Sequence, residues 1–193
     1  MYKLLIIILY FLFTTTAFSD TDVSTVSAGS RSYSVIDKYW LINPAVFVCD
    51  DLRISRSRVD RAIRYWQRLG YSFESINYNY TGRECHGMPS TGSIVITIPD
   101  QNFDASKLAL TRTAFNSETR EIYHSTIQVP NFNTTKERVL EHEFGHAFGW
   151  THSTRSYYIM NRNWKLGGWN SAGLSNDRYL RLIGELITAN SNP

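Results

Sequence analysis

The chain has 193 residues, 20 Lys and Arg against 17 Asp and Glu, a formal net charge of +3, and 42% hydrophobic residues. It is long enough for one compact domain with its own core. Its charge is too near neutral to imply a nucleic-acid partner, and it shows no internal repeat or second domain.

Met1-Tyr2-Lys3 is a short basic start, Leu4 to Phe13 an unbroken apolar run, and Ala17-Phe18-Ser19 puts small residues at the two positions a signal peptidase reads. These features predict a secretory signal peptide over residues 1–19. The run is shorter than the about 20 apolar residues that span a bilayer, and no later stretch is longer. The protein is therefore expected outside the cell, with no membrane span once the signal is cleaved. Residues 20–34, rich in Ser, Thr, Asp and Gly, predict a flexible leader, and residues 35–193 a single domain. Cys49 and Cys85 are the only cysteines. In an exported protein an even pair favours one disulfide, with two free thiols as the alternative.

Val59, Ala62, Ile63, Trp66 and Leu69 recur at helical spacing and Gly70 follows as a stop, which predicts an amphipathic helix over 57–69. Arg53, Arg56, Arg58, Arg61, Arg64 and Arg68 gather around it. Such a cluster ordinarily reads as a solvated helix face; attraction to an anionic surface or substrate is the less common reading. Asn79-Tyr80-Thr81 and Asn133-Thr134-Thr135 are glycosylation sequons, which matter only in a eukaryotic secretory pathway. Ser93 to Ile98 is a short β-branched run closed by Pro99 and predicts a buried strand. Leu108–Phe115 and Ile122–Val129 flank the turn-like Asn116-Ser117-Glu118-Thr119 and predict a hairpin, ended by Pro130. Thr134 and Glu137 read as a capping box for a helix from Thr135 to Phe148, with Val139, Leu140, Ala147 and Phe148 available to the core. Ser175 can cap a last helix with Tyr179, Leu182, Ile183 and Leu186 in one stripe and Leu174 stapled to Tyr179. Three helices and a small sheet make an α+β domain.

The predicted helix before the last carries the chemistry. His142-Glu143-Phe144-Gly145-His146-Ala147-Phe148-Gly149-Trp150-Thr151-His152 spells H-E-x-x-H-x-x-G-x-x-H. Four positions apart on a helix, His142 and His146 project from one face and can share one metal ion. Glu143 beside them is badly placed as a ligand and well placed as a general base. Gly149 can adopt positive φ, so the chain can leave the helix and return His152 as a third ligand. Three imidazoles leave a tetrahedral position open, which marks a catalytic zinc site; a structural site is closed by four ligands. His86 and His124 have no ligand spacing and read as ordinary polar residues.

This segment resembles the metzincin metallopeptidases, which carry a methionine turn shortly beyond the third histidine. Here Tyr157-Tyr158-Ile159-Met160-Asn161 places Met160 at that point, and Leu108-Ala109-Leu110-Thr111 with Glu121 to Val129 is similar to the strand pair that precedes the zinc helix in matrixin-like members. The resemblance covers roughly residues 40–190 and is strong over 137–161. It departs at Arg162, where astacin-like and serralysin-like members have tyrosine. No Pro-Arg-Cys-Gly prodomain segment, calcium loop or second-zinc loop is recognisable, though Cys49 could act as a zinc-blocking residue. The resemblance implies a twisted, mostly parallel sheet with an antiparallel edge strand, and a zinc cleft between an upper and a lower subdomain.

It also implies a monomeric, secreted zinc endopeptidase with one catalytic Zn2+ on His142, His146 and His152. Glu143 would be the base, and Met160 an apolar floor that does not bind the metal. An extended polypeptide would pair with the edge strand, expected at Ile122–Val129, and the loop Asn161–Gly173 with Trp164 and Trp169 would wall a pocket or pack the lower subdomain. Two other readings stay open: a hydrolase of cell-wall peptide amides, and a catalytically silent zinc-binding or adhesion module.

Overall fold

The structure is a computed structural model that describes residues 34–191, with side chains to 189. The expected signal peptide and all but the last residue of the expected leader lie outside the described residues. Five strands, β1 Ala45–Cys49, β2 Ile76–Tyr80, β3 Ser93–Thr97, β4 Leu110–Phe115 and β5 Ile122–Gln128, form one sheet in the order β2-β1-β3-β5-β4. β2, β1, β3 and β5 run parallel and β4 is the antiparallel edge. With α1 Arg56–Arg68, α2 Val139–Ala147 and α3 Asn176–Ser191, this is an α+β fold with a mostly parallel mixed sheet and three helices. Among the described residues no helix is long and apolar enough to cross a membrane.

β3, Ser-Ile-Val-Ile-Thr, lies between two parallel neighbours and is buried through its first four residues. A strand covered on both faces must be apolar at consecutive positions, which is why its signal was a run and not an alternation. The expected edge at Ile122–Val129 is corrected: β5 is an interior strand between β3 and β4, and the antiparallel edge is Leu110–Phe115. The burial of each strand gives the reason. β5 has Ile122, His124, Ser125, Ile127 and Gln128 buried, on both faces, whereas every residue of the polar-apolar mixture Leu-Thr-Arg-Thr-Ala-Phe in β4 is only half-buried.

α1 starts one residue before its expected bound and stops where Gly70 takes φ +94°. Its apolar stripe buries Val59, Ala62, Ile63 and Trp66, and the Trp66 indole N–H donates to the Glu141 carbonyl of α2 at 2.8 Å. Trp66 meets Tyr71 edge-on at 5.1 Å and Phe148 at 5.3 Å, so one aromatic cluster joins the two helices. Arg58 departs from the expected solvated arginine face. It is buried, and its guanidinium grips both carboxylate oxygens of buried Glu141 at 2.6 Å and the Lys136 carbonyl at 3.1 Å.

α2 begins four residues later than expected, at Val139. The Thr134 hydroxyl serves Asn131 and Arg53 carbonyls instead of a capping box, residues 131–133 form a short 3-10 turn, and Arg138 sits at φ +66°, which no continuing helix permits. For α3, the Ser175 hydroxyl meets the Arg178 N–H at 3.5 Å, while Leu174, Tyr179 and Ile183 are buried.

Cys49, at the end of β1, is bonded to Cys85 in the 3-10 turn Arg83–His86. That settles the cysteine alternatives and removes Cys49 as a thiol that could block a metal. Of the two sequons, Asn79 is exposed, but Asn133 is 1% exposed and its amide donates to the Leu108 carbonyl at 2.9 Å.

Candidate metal centre

α2 supplies the first two histidines from adjacent turns of one face. His142 Nδ1 lies 2.7 Å from the Ile159 carbonyl and His146 Nδ1 2.8 Å from the Trp150 carbonyl. A carbonyl can only accept, so each Nδ1 carries the hydrogen and each Nε2 is left with its lone pair. Those two Nε2 atoms stand 3.0 Å apart. Two lone pairs at that range repel unless a cation lies against both. Burial, and then the neighbouring His142 and His152, hold the His146 imidazole well below its ordinary pKa, so His146 is a neutral donor.

The third histidine arrives through a turn that only one residue type allows. Gly149 follows α2 at φ +91°, and a Cβ there would collide with the Lys38 carbonyl. The turn is closed by the Trp150 N–H on the Gly145 carbonyl at 2.9 Å. It carries His152 back until its Nε2 is 3.1 Å from that of His146. His142, His146 and His152 thus offer ligand atoms that all lie within 4.8 Å of one another, close enough to hold one metal ion. The donor set of three imidazoles, two of them locked by carbonyls behind, fits such an ion.

Met160 and the residues around it brace this arrangement. Met160 is fully buried, and a Cβ on Gly145 would collide with its sulfur, so the methionine presses on α2 one residue before His146. Ile159 supplies the carbonyl behind His142, while the Met160 carbonyl accepts from the Ser153 N–H at 2.8 Å, beside His152. One turn therefore fixes two of the three histidines.

Glu143 is 7% exposed. Burial raises its pKa, opposed by its neighbour His142 and by the hydrogen bond from Thr111. Thr111 Oγ1 on β4 lies 2.7 Å from Glu143 Oε2 and 3.1 Å from the Glu143 carbonyl. Neither Thr111 nor the Arg58–Glu141 pair stood out as part of the site in the sequence. A charge inside the apolar stripe of each helix, Arg58 beside Val59 and Glu141 among Val139, Leu140 and Phe144, was the signal available for the second.

The remaining histidines lie elsewhere. His86 is exposed in its turn. His124 is buried on β5 between the Ser93 hydroxyl at 2.9 Å and the Thr126 hydroxyl at 2.8 Å, and burial pushes its pKa down to about 4. Trp164 and Trp169 are 36% and 45% exposed; neither is packed into the core. Compared with known proteins, the chain matches no protein-family model and no curated protein.

Proposed function

We propose that this protein is a secreted zinc endopeptidase of the metzincin type, acting through His142, His146, His152 and Glu143. The observation that carries the reading is the convergence of three Nε2 atoms, two of them backed by carbonyls, next to a buried carboxylate on the same helix. Three protein ligands leave a position open for chemistry, as a catalytic zinc site requires. A zinc ion held there would supply a Lewis acid that polarises a scissile carbonyl and makes water a nucleophile near neutral pH.

The chain's own groups supply the rest. Glu143, raised in pKa by burial, takes the proton of the attacking water and returns it to the departing amine, which breaks the C–N bond with its proton count balanced. The Thr111 hydroxyl fixes Oε2, so that the carboxylate has one orientation to offer. β4 contributes more than Thr111. As the sheet's antiparallel edge it has backbone to offer an extended peptide, which would add there as a further strand passing Glu143.

The test is Glu143→Gln. Since Glu143 is a base and not a ligand, the variant should retain zinc and thermal stability while cleavage of a broad peptide mixture falls by about 10²–10⁴-fold. Equal cleavage by wild type and variant would reject the mechanism. Zinc-loaded wild type that opens cell-wall amides but no peptides would move the substrate to that class, and one that opens neither would leave a binding module.

A further inference from the structure

The exposed arginines of α1 and the tryptophan loop, which the metal centre does not use, meet on one surface. Arg61, Arg64 and Arg68 are exposed and lie three and four positions apart, so they form one stripe along the outside of the helix. Arg61 reaches Glu137 at 3.7 Å, and the backbone carbonyl of the same Glu137 accepts the Trp164 indole N–H at 3.0 Å. The Trp164 ring then carries two further cations, with Lys136 at 5.5 Å and Arg138 at 5.0 Å from its centroid. At the other end, Trp169 lies 5.8 Å from the Tyr65 ring of α1, which in turn lies 5.9 Å from Arg68.

Apolar groups stand out from this basic ground. Leu166 is 54% and Tyr157 77% exposed, and the two are joined by the Tyr157 N–H on the Leu166 carbonyl at 2.7 Å. Trp164 has its one polar atom already bonded, so what it turns outward is hydrocarbon. Tryptophan, tyrosine and an aliphatic side chain set among arginine and lysine match the boundary between lipid headgroups and acyl chains. Leu166 offers nothing to a base or a phosphate, which argues against a nucleic acid. The excess of cations selects negatively charged headgroups.

We infer that this face docks the protein on anionic phospholipid membranes, with the rings of Trp164 and Trp169 and Leu166 entering the headgroup layer and the surrounding cations meeting its charge. This docking does not depend on catalysis.

Co-sedimentation of the full chain with phosphatidylcholine vesicles, with and without phosphatidylserine, tests it. Wild type should partition about tenfold or more in favour of the anionic vesicles, and added salt should erase the preference. Lys136→Glu combined with Lys165→Glu, a change at the exposed cation between Trp164 and Leu166, should abolish the preference. Leu166→Ser, an exposed change that leaves the charge and the backbone intact, should weaken binding to anionic vesicles several-fold; both variants should unfold at the wild-type temperature. Trp164→Ser should act as Leu166→Ser does, and if it fails to fold the other two variants still decide. Equal partitioning of wild type between the two vesicle types, variants that bind as wild type does, or tighter capture by single-stranded RNA than by anionic vesicles would each overturn the assignment.

Discussion

Thr111 has one hydroxyl hydrogen, and the nearest acceptors are both on Glu143. Replacing it by valine keeps shape and volume and removes only that hydrogen, so any effect reads the hydrogen bond itself. A charge-assisted bond to a carboxylate is worth about 1.5–3 kcal/mol. Thr111→Val should therefore lower kcat about tenfold or more with KM and metal content little changed, while Thr111→Ser, which restores the hydroxyl, should recover most of the rate. Steady-state kinetics with metal analysis of the two variants checks this; a Thr111→Val enzyme as fast as wild type would make the threonine a packing residue only. The case also shows where sequence reading reaches and where it stops. His142, His146, Gly149 and His152 were legible because a histidine cluster built on one helix and its exit turn is written at fixed local spacing. Thr111 lies 32 positions before Glu143 and belongs to a strand, not to the helix of Glu143, and a partner brought in by tertiary folding leaves no spacing to read.

At the scale of elements, α1 and α2 are joined by a buried ion pair whose acid immediately precedes His142. Arg58 and Glu141 are nearly inaccessible, so their attraction is offset by the water both gave up, and removing one partner leaves the other charged and buried. Arg58→Met should lower unfolding free energy by about 3–5 kcal/mol in denaturant titration, and Arg58→Met with Glu141→Leu should recover most of the loss. A single variant as stable as wild type would show that the helices are held by the Trp66 cluster alone. The same pair marks the one exception to the solvated arginine face, since Arg53, Arg56, Arg61, Arg64 and Arg68 are exposed as expected. Six arginines in sixteen positions average to a solvated face, and only the one that shares a side with Ala62 and Trp66 turns inward. β1 and β2 escaped notice for a different reason. Ala-Val-Phe-Val-Cys is an apolar run like that of β3, but one that fits a buried helix segment equally well, and Ile-Asn-Tyr-Asn-Tyr alternates large and polar residues with no face fully buried. The hairpin of β4 and β5 was legible because both strands and their polar turn are contiguous, but which of the two lies at the edge depends on β3, which the local pattern does not contain.

Across the whole molecule, the Cys49–Cys85 bond closes a loop with a sequence separation of 36 that contains all of α1 and β2. Cross-linking at that separation removes chain entropy from the unfolded state and should contribute about 2–4 kcal/mol. Cys49→Ala with Cys85→Ala should lower the melting temperature without displacing the metal, since neither sulfur belongs to the histidine cluster; a melting temperature unchanged from wild type would mean that the core alone holds this half of the sheet. Asn133 sets a condition of another kind, on biosynthesis. In a compartment that attaches sugars to chains still being translocated, its side-chain nitrogen meets the transferase before residues 131–133 have closed over it. Once glycosylated, that nitrogen cannot sit beneath the Leu108 carbonyl, and the sugar would hold the exit of β5 away from the approach to α2. Modification and folding compete for one atom there. The folded state is reached by chains that fold before the transferase acts, or by chains made where no such transferase works.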